Sequence, residues 1–222
     1  MREPCRLCGS NDGYIEERSG TELCRLRRLQ FVGLQLTKTH GLRMTNDSVG
    51  RLGEAALNYA KRGWHVFPLH HPVNGTCSCG KDDCPSPGKH PRTEHGLSDA
   101  TTDPEIITRW WGEDPNANIG VRTGKISGIV VVDVDAKNGG IESWQDLQDF
   151  NGRVDTLTSL TGGGGLHLFF QAPAEELKST TGNMVPGIDT RAEGGYVVMP
   201  PSLHVSGRRY RWEEHDDYED MD

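Results

Sequence analysis

From residue 46 onward the apolar positions fall into short sets whose period changes along the chain. Asn46, Asp47 and Ser48 offer helix N-caps. Behind them Leu52, Ala55, Ala56, Tyr59 and Ala60 recur at the 3.6-residue period of an amphipathic helix. "HVFPL" (65–69) is a strand entering the core. Asp103, Pro104 and Glu105 start a second helix, with Ile106, Ile107, Trp110 and Trp111 as its packing stripe. "NIGVRTG" (118–124) and "GIVVVDVD" (128–135) predict two strands joined by a short turn, and Ile141, Trp144, Leu147 and Phe150 mark a third helix. The glycine-rich segments "TLTSLTGGGGLHLFFQ" (156–171) and "GIDTRAEGGYVVMPPSLH" (187–204) predict a hairpin and a further strand pair, and "RRYRW" (208–212) a last strand. Helix and strand lead and a β-rich half follows, so the pattern predicts an α+β fold with an antiparallel or mixed sheet, not a doubly wound parallel one.

Three stretches stand outside this pattern. Residues 1–45 show no sustained period, are rich in arginine and precede a second methionine, Met44, so a poorly structured extension is expected there. Residues 213–222 are an acidic tail. Residues 70–100 form a polar segment rich in Cys, His, Gly and Pro, longer than a compact domain tolerates without something to pin it.

The strand "GIVVVDVD" poses the chemical question. Side chains alternate along a strand, so Asp133 and Asp135 share a face with Val134 on the other. Two carboxylates in one dry spot repel unless a cation lies between them, and a divalent ion is one candidate; a strand end that has reached solvent is the plain alternative. A third acid, Asp189, sits on a short strand in "GIDTR". Three carboxylates on adjacent strands can hold two Mg²⁺ or Mn²⁺ ions, the arrangement that activates an attacking oxygen and stabilises a leaving one in phosphoryl transfer. Alone, Asp-x-Asp is weakly specific, since glycosyltransferases use the same pair. The four glycines of "TGGGGLH" let an anion approach the backbone, so Gly164, Gly165 and His167 are candidate phosphate contacts; a loose hairpin turn explains the glycines equally well. Arg191 shares the face of Asp189 and reads either as a phosphate contact or as a structural ion pair.

Six cysteines form two groups, Cys5, Cys8 and Cys24, and Cys77, Cys79 and Cys84. Without signs of secretion they read as metal ligands or free thiols. Cys77, Cys79, Cys84 and His90 can close a tetrahedral Zn²⁺ site that pins residues 70–100, with His70, His71 and His95 as other fourth ligands. The first group, with His40, offers too few ligands at ordinary spacing for a second zinc to be favoured.

Charge narrows little. The formal net charge is −8, yet the last ten residues carry seven carboxylates and no Lys or Arg, and removing them leaves 25 acids against 24 bases. Nucleic acid is therefore not excluded as a partner, though no general basic surface supports it. No apolar run approaches the roughly 20 residues of a membrane span and the N-terminus does not read as a signal peptide, so a soluble, cytoplasmic protein is expected.

Taken together, "NYAKRGWHVFPL", "GVRTG", "DVDAKNGG", the glycine-rich "LH" motif and "IDTRAEGGYVVMPPS" resemble the bifunctional primase–polymerase family of the archaeo-eukaryotic primase superfamily, found in plasmid, phage and mobile-element replication. The resemblance spans about residues 50–212. It implies an RRM-like sheet bearing the catalytic carboxylates, packed against a smaller N-terminal α/β unit. It implies metal ligation by Asp133, Asp135 and Asp189 and a triphosphate contact from His167. Similar Cys-rich loops followed by "GKHP" occur in the family. Its second motif often carries a small hydroxyl residue where this chain has Gly165. The expected activity is template-directed nucleotidyl transfer from dNTPs or NTPs on single-stranded or primed DNA, with any helicase on another chain or beyond these residues, which hold no Walker A motif. Other readings are a DNA-binding module with a vestigial site and an Asp-x-Asp glycosyltransferase.

Overall fold

The computed structural model describes residues 50–180 and 185–213. The expected extension, its cysteines Cys5, Cys8 and Cys24, the N-caps at 46–48 and most of the acidic tail lie outside these residues. In chain order the elements are α1 (Gly50–Lys61), β1 (Val66–Leu69), β2 (Pro72–Val73), β3 (Thr76–Cys77), α2 (Pro104–Glu113), β4 (Asn118–Arg122), β5 (Ile129–Val134), α3 (Gly140–Asn151), β6 (Thr158–Leu160), β7 (Leu166–Gln171), β8 (Ile188–Arg191), β9 (Tyr196–Met199) and β10 (Arg211–Trp212).

The run Ile129–Val132 is apolar at every position, which suits a strand covered on both faces. β5 is that strand. It lies within a five-stranded sheet of order β10-β6-β7-β5-β8, whose ladders are all antiparallel. On one face Ile129 and Val131 join Phe169 and the buried side of α1 in the largest apolar cluster. On the other, Val132, Val134, Leu168 and Ile188 meet Trp144 and Leu147 of α3. A second sheet of order β1-β4-β9, also antiparallel, contributes Val66, Ile119, Val121, Val197 and Met199 to the first cluster.

The α+β expectation holds, and the sheets are antiparallel. Two predicted strand pairs take a different form. β8 and β9 are not partners: β8 pairs with β5 and β9 with β4, so the chain changes sheet across Ala192–Gly195. It changes sheet likewise between β4 and β5, around the left-handed Gly124 and Gly128. A glycine-rich link between strands reads in sequence as a hairpin turn, yet the same residues serve a crossing between layers. For that reason the smaller unit is not wholly N-terminal, since its third strand is β9. α3 buries the middle of its predicted stripe, while Ile141 and Phe150 at the ends are exposed.

α2 starts as its sequence dictates. The Asp103 carboxylate accepts from the Glu105 and Ile106 amides, with Pro104 in the first turn where its missing N–H costs nothing. Trp111 is fully buried and donates from Nε1 to Ala117 O. β1 is an edge strand, which is why it tolerates Pro68, and the free Pro68 carbonyl accepts from the Arg92 amide. That bond and His70 N to His90 O fasten the end of the 70–100 segment beside β1. Buried Asn118, at the head of β4, donates to Gly88 O and Leu203 O and accepts from Leu203 N, joining the segment to the residues after β9.

Candidate active site

The register of three strands builds the site. Asp133 on β5 lies directly opposite His167 on β7 and opposite Asp189 on β8, so the three form one row across adjacent strands. One pair further, Val131 faces Phe169 and Arg191. The row lies on the face that packs against the first cluster, at the point where apolar cover gives way to a cleft of about 670 Å³. Asp133, Asp135, His167, Asp189 and Arg191 all line it. Asp135 lies one residue past the strand. Its carboxylate oxygens accept from the Lys137 amide and from Asn138 Nδ2, 2.9 and 2.7 Å away, which orients the group at the rim.

Arg191 holds the acidic pair together. Its Nε and Nη2 donate to Asp133 Oδ2 at 3.2 and 3.0 Å, and Nη2 reaches Asp189 Oδ2 at 3.3 Å. Of the two readings of Arg191, the structural ion pair is the one formed, and it offsets the repulsion between the two carboxylates. His167 Nε2 lies 3.5 Å from Asp133 Oδ1. Burial lowers the His167 pKa; the Asp133 charge opposes this, and Arg191 and Lys89 add to the depression, so the imidazole is neutral at neutral pH.

The glycine run forms the tight turn between β6 and β7, and two of its four amides are occupied within it. Gly164 N donates to Thr161 O and Gly165 N to Thr161 Oγ1, so the backbone donors assigned to phosphate from sequence close the turn itself. Gly165 has a second duty. A Cβ there would lie 2.0 Å from Val134 O, so the backbone of β7 approaches β5 where only glycine fits. A hydroxyl side chain at this position, expected from the resemblance, has no room, while Thr161, four residues earlier, lines the cleft with one. Sequence reading did not single out Thr161, Lys137 or His204, which also line it: a lone residue in a loop carries no period or spacing to mark it.

On another rim the four residues Cys77, Cys79, Cys84 and His90 converge, with one ligand atom from each within 4.8 Å of the others. Cys77 Sγ and Cys84 Sγ each lie 3.4 Å from His90 Nε2. A tetrahedral zinc ion with bonds of about 2.3 Å to sulfur and about 2.0 Å to nitrogen sets that edge at roughly 3.5 Å, so the donor set and its spacing fit the metal. The Cys77 pKa falls to about 6: burial raises it, and hydrogen bonds from the Cys79 and Gly88 amides and from His90 more than offset this. The alternatives fall elsewhere, with His70 Nδ1 on Ser78 Oγ, His71 near Asp114 and His95 on Asp99. Ser86, Lys89 and His90 carry this segment into the wall of the cleft.

Among solved structures the chain is similar to the polymerase domain from Mycobacterium tuberculosis Ligase D in complex with DNA, at 14% identity over 78% of this chain and 87% of that one, with a TM-score of 0.29. At that score the likeness is weak. No curated protein matches the chain. The family match is extensive: residues 56–221, which include the acidic row, the glycine turn and the Cys–His cluster, fit the sequence model of the bifunctional DNA primase/polymerase N-terminal domain, and the chain belongs to that family.

Proposed function

We propose that this chain is a DNA primase/polymerase catalytic domain that carries out metal-dependent, template-directed nucleotidyl transfer, in a replication setting of the plasmid, phage or mobile-element kind. The observation that carries the reading is the His167–Asp133–Asp189 row at the floor of an open cleft. Asp133, Asp135 and Asp189 offer only oxygen donors, the hard set that suits Mg²⁺ or Mn²⁺, and the Arg191 guanidinium already lies between two of them as a positive charge. When bound, two such ions supply activation of the attacking 3′-oxygen and stabilisation of the leaving one. The chain's own groups do the rest by position and charge. Neutral His167 gives an N–H to the triphosphate. Arg191, competing with cations for the carboxylates, is left beside the phosphate when they are neutralised otherwise. The glycine turn gives room for the nucleotide. Cys77, Cys79, Cys84 and His90 hold a structural Zn²⁺ that fixes the wall carrying Lys89. Template DNA and dNTP or NTP are the partners, with a helicase on another chain.

The test is incorporation of labelled dNTP on a primed template with Mn²⁺, and on an unprimed one for initiation. Extension that disappears in both Asp133→Asn and Asp189→Asn supports the reading. Extension that survives in both overturns the carboxylate assignment.

A further inference from the structure

One side of the cleft carries several donors and has no part in the acidic row. Residues His204–Arg208 make a tight turn, with His204 N donating to Arg208 O and Gly207 N to His204 O, and with Gly207 in the left-handed region at φ 83°. The pairing stands His204 and Arg208 side by side. Ser206 Oγ donates to Gly162 O at 2.8 Å, which staples this turn to the glycine turn. A Cβ on Gly162 would lie 2.2 Å from His204 Cβ, so glycine there is what lets His204 rest on the turn. His204 is only 6% exposed, yet it lines the cleft. Its Nδ1 lies 2.9 Å from Ser206 Oγ and 3.1 Å from the Ser206 amide, and in the tautomer in which that amide donates to Nδ1 the ring proton is on Nε2. Nε2 lies 3.8 Å from where a Cβ on Gly163 would stand, and Arg208 Nη2 lies 3.7 Å from where one on the next residue, Gly164, would stand. Lys89 and Lys137 line the same cleft, and the charges of Lys89, Lys137 and Arg208 all act on the His204 ring. The glycine turn thus has an N–H donor and cationic charge beside it, and Ala136 Cβ, 3.9 Å from the Cβ point of Gly164, joins it to the loop that carries Asp135 and Lys137.

We propose that His204 Nε2–H, with Lys137 and Arg208, binds the distal phosphates of the incoming nucleoside triphosphate above the glycine turn. The proposal rests on the nucleotidyl-transfer reading and deepens it. Because the Gly164 and Gly165 amides are occupied within the turn, side chains beside it supply the phosphate contacts there. The triphosphate then runs with its α-phosphorus toward Asp133 and its tail toward His204, past Lys137 on the loop that also carries Asp135.

Binding of inorganic tripolyphosphate, which has neither base nor sugar, tests this by calorimetry on the whole chain without divalent ions. His204→Ala is expected to weaken binding about 10-fold or more, the scale of losing a hydrogen bond to a charged group, and His204→Gln, which keeps an N–H near the same place, to restore most of it. Lys137→Ala and Arg208→Ala, both at exposed positions, should each weaken binding and flatten its salt dependence, and they decide the matter if His204→Ala does not fold. In extension assays the same variants should raise the nucleotide KM more than they lower kcat. Tripolyphosphate that fails to bind, or binds the folded variants like the native chain, overturns the proposal. If nucleotides are incorporated with unchanged KM in these variants, the phosphate site falls and nucleotidyl transfer stands. If tripolyphosphate binds through His204 and no nucleotide is ever incorporated, the site stands and the transfer reading falls.

Discussion

The acidic row and the Cys–His cluster border the same cleft, and they are assembled by opposite means. Asp133 and Arg191, 58 positions apart in sequence, meet because β5 and β8 pair in one register inside a sheet with apolar clusters on both faces. The row is held by the core whether or not a metal is present. Cys77 and His90 are 13 positions apart, in a segment whose only strands are the two-residue β2 and β3. Such a segment buries little apolar surface against the entropy of ordering it, so bonds to a metal are the natural source of its order. One site is a consequence of the fold, and the other, with the proposed Zn²⁺ bound, would be a cause of part of it.

The sharpest break in this comparison comes from removing one acid. Asp133→Ala is expected to cut nucleotide incorporation by at least ~10²–10³-fold, the scale seen when a group stabilising transition-state charge is removed. The fold should persist, because Asp133 is partly exposed and its strand stays paired on both sides. A coupled loss of activity and of cooperative unfolding would show that the row supports the sheet and not the reverse.

Removing a thiol should do the converse. Cys77→Ser with Cys79→Ser is expected to release zinc, measured by elemental analysis against about one ion per chain for a closed four-ligand site. Trypsin should then cut at Lys81 or Lys89 faster, about tenfold for each 1.4 kcal/mol of local stability lost. Binding of Mn²⁺ at the carboxylates should continue, since the ligands differ in hardness. A metal-free native chain that already resists trypsin would return the cysteines to simple thiols.

The same contrast governs what was legible in the sequence. The cysteine cluster was readable down to its fourth ligand because its chemistry is local: spacing within fourteen residues nearly determines proximity. The shared faces of Asp133 with Asp135 and of Asp189 with Arg191 followed from strand alternation, but the meeting of Asp133 with Asp189 and Arg191 depends on which strands pair, and that is not written locally. β8 and β9 show the limit, since a glycine link between two strands looks the same whether it turns a hairpin or carries the chain to another sheet. Gly165 shows another: four glycines in a row announced an open turn, and only the approach of Val134 O reveals that one of them is there for packing.

That packing yields a smaller effect. Gly165→Ser adds a hydroxyl at that position, yet its Cβ would meet Val134 O at 2.0 Å. Forcing a side chain into the β5–β7 junction should cost about 1–3 kcal/mol, lowering the melting temperature by about 2–4 °C for each kcal/mol in a chain of this size. Nucleotide affinity should fall or stay level; a gain would mean that the strands part easily and that the acidic row is less firmly held than its register suggests.

The smallest effect expected is on acid stability, and it probes the row's surroundings without touching a carboxylate. Burial lowers the pKa of both His167 and His204; for His204 the neighbouring Lys89, Lys137 and Arg208 lower it further. The folded chain therefore resists protonation at rings that the unfolded chain protonates at about 6.5. Above that pH both states carry neutral rings and these groups contribute no slope. Below it the unfolded state binds more protons, so stability falls with pH, by at most ~1.4 kcal/mol per pH unit for each proton taken up. Melting temperatures of the metal-free chain at pH 7.5, 6.5 and 5.5 should fall along the series. His204→Gln, which cannot titrate, should make the lower part of that series shallower while leaving the upper part parallel to the native curve. Equal slopes in the two chains would mean that the His204 ring takes up its proton in the folded state as readily as in the unfolded one, and that the basic side of the cleft is open to water and not a dry, preorganised wall.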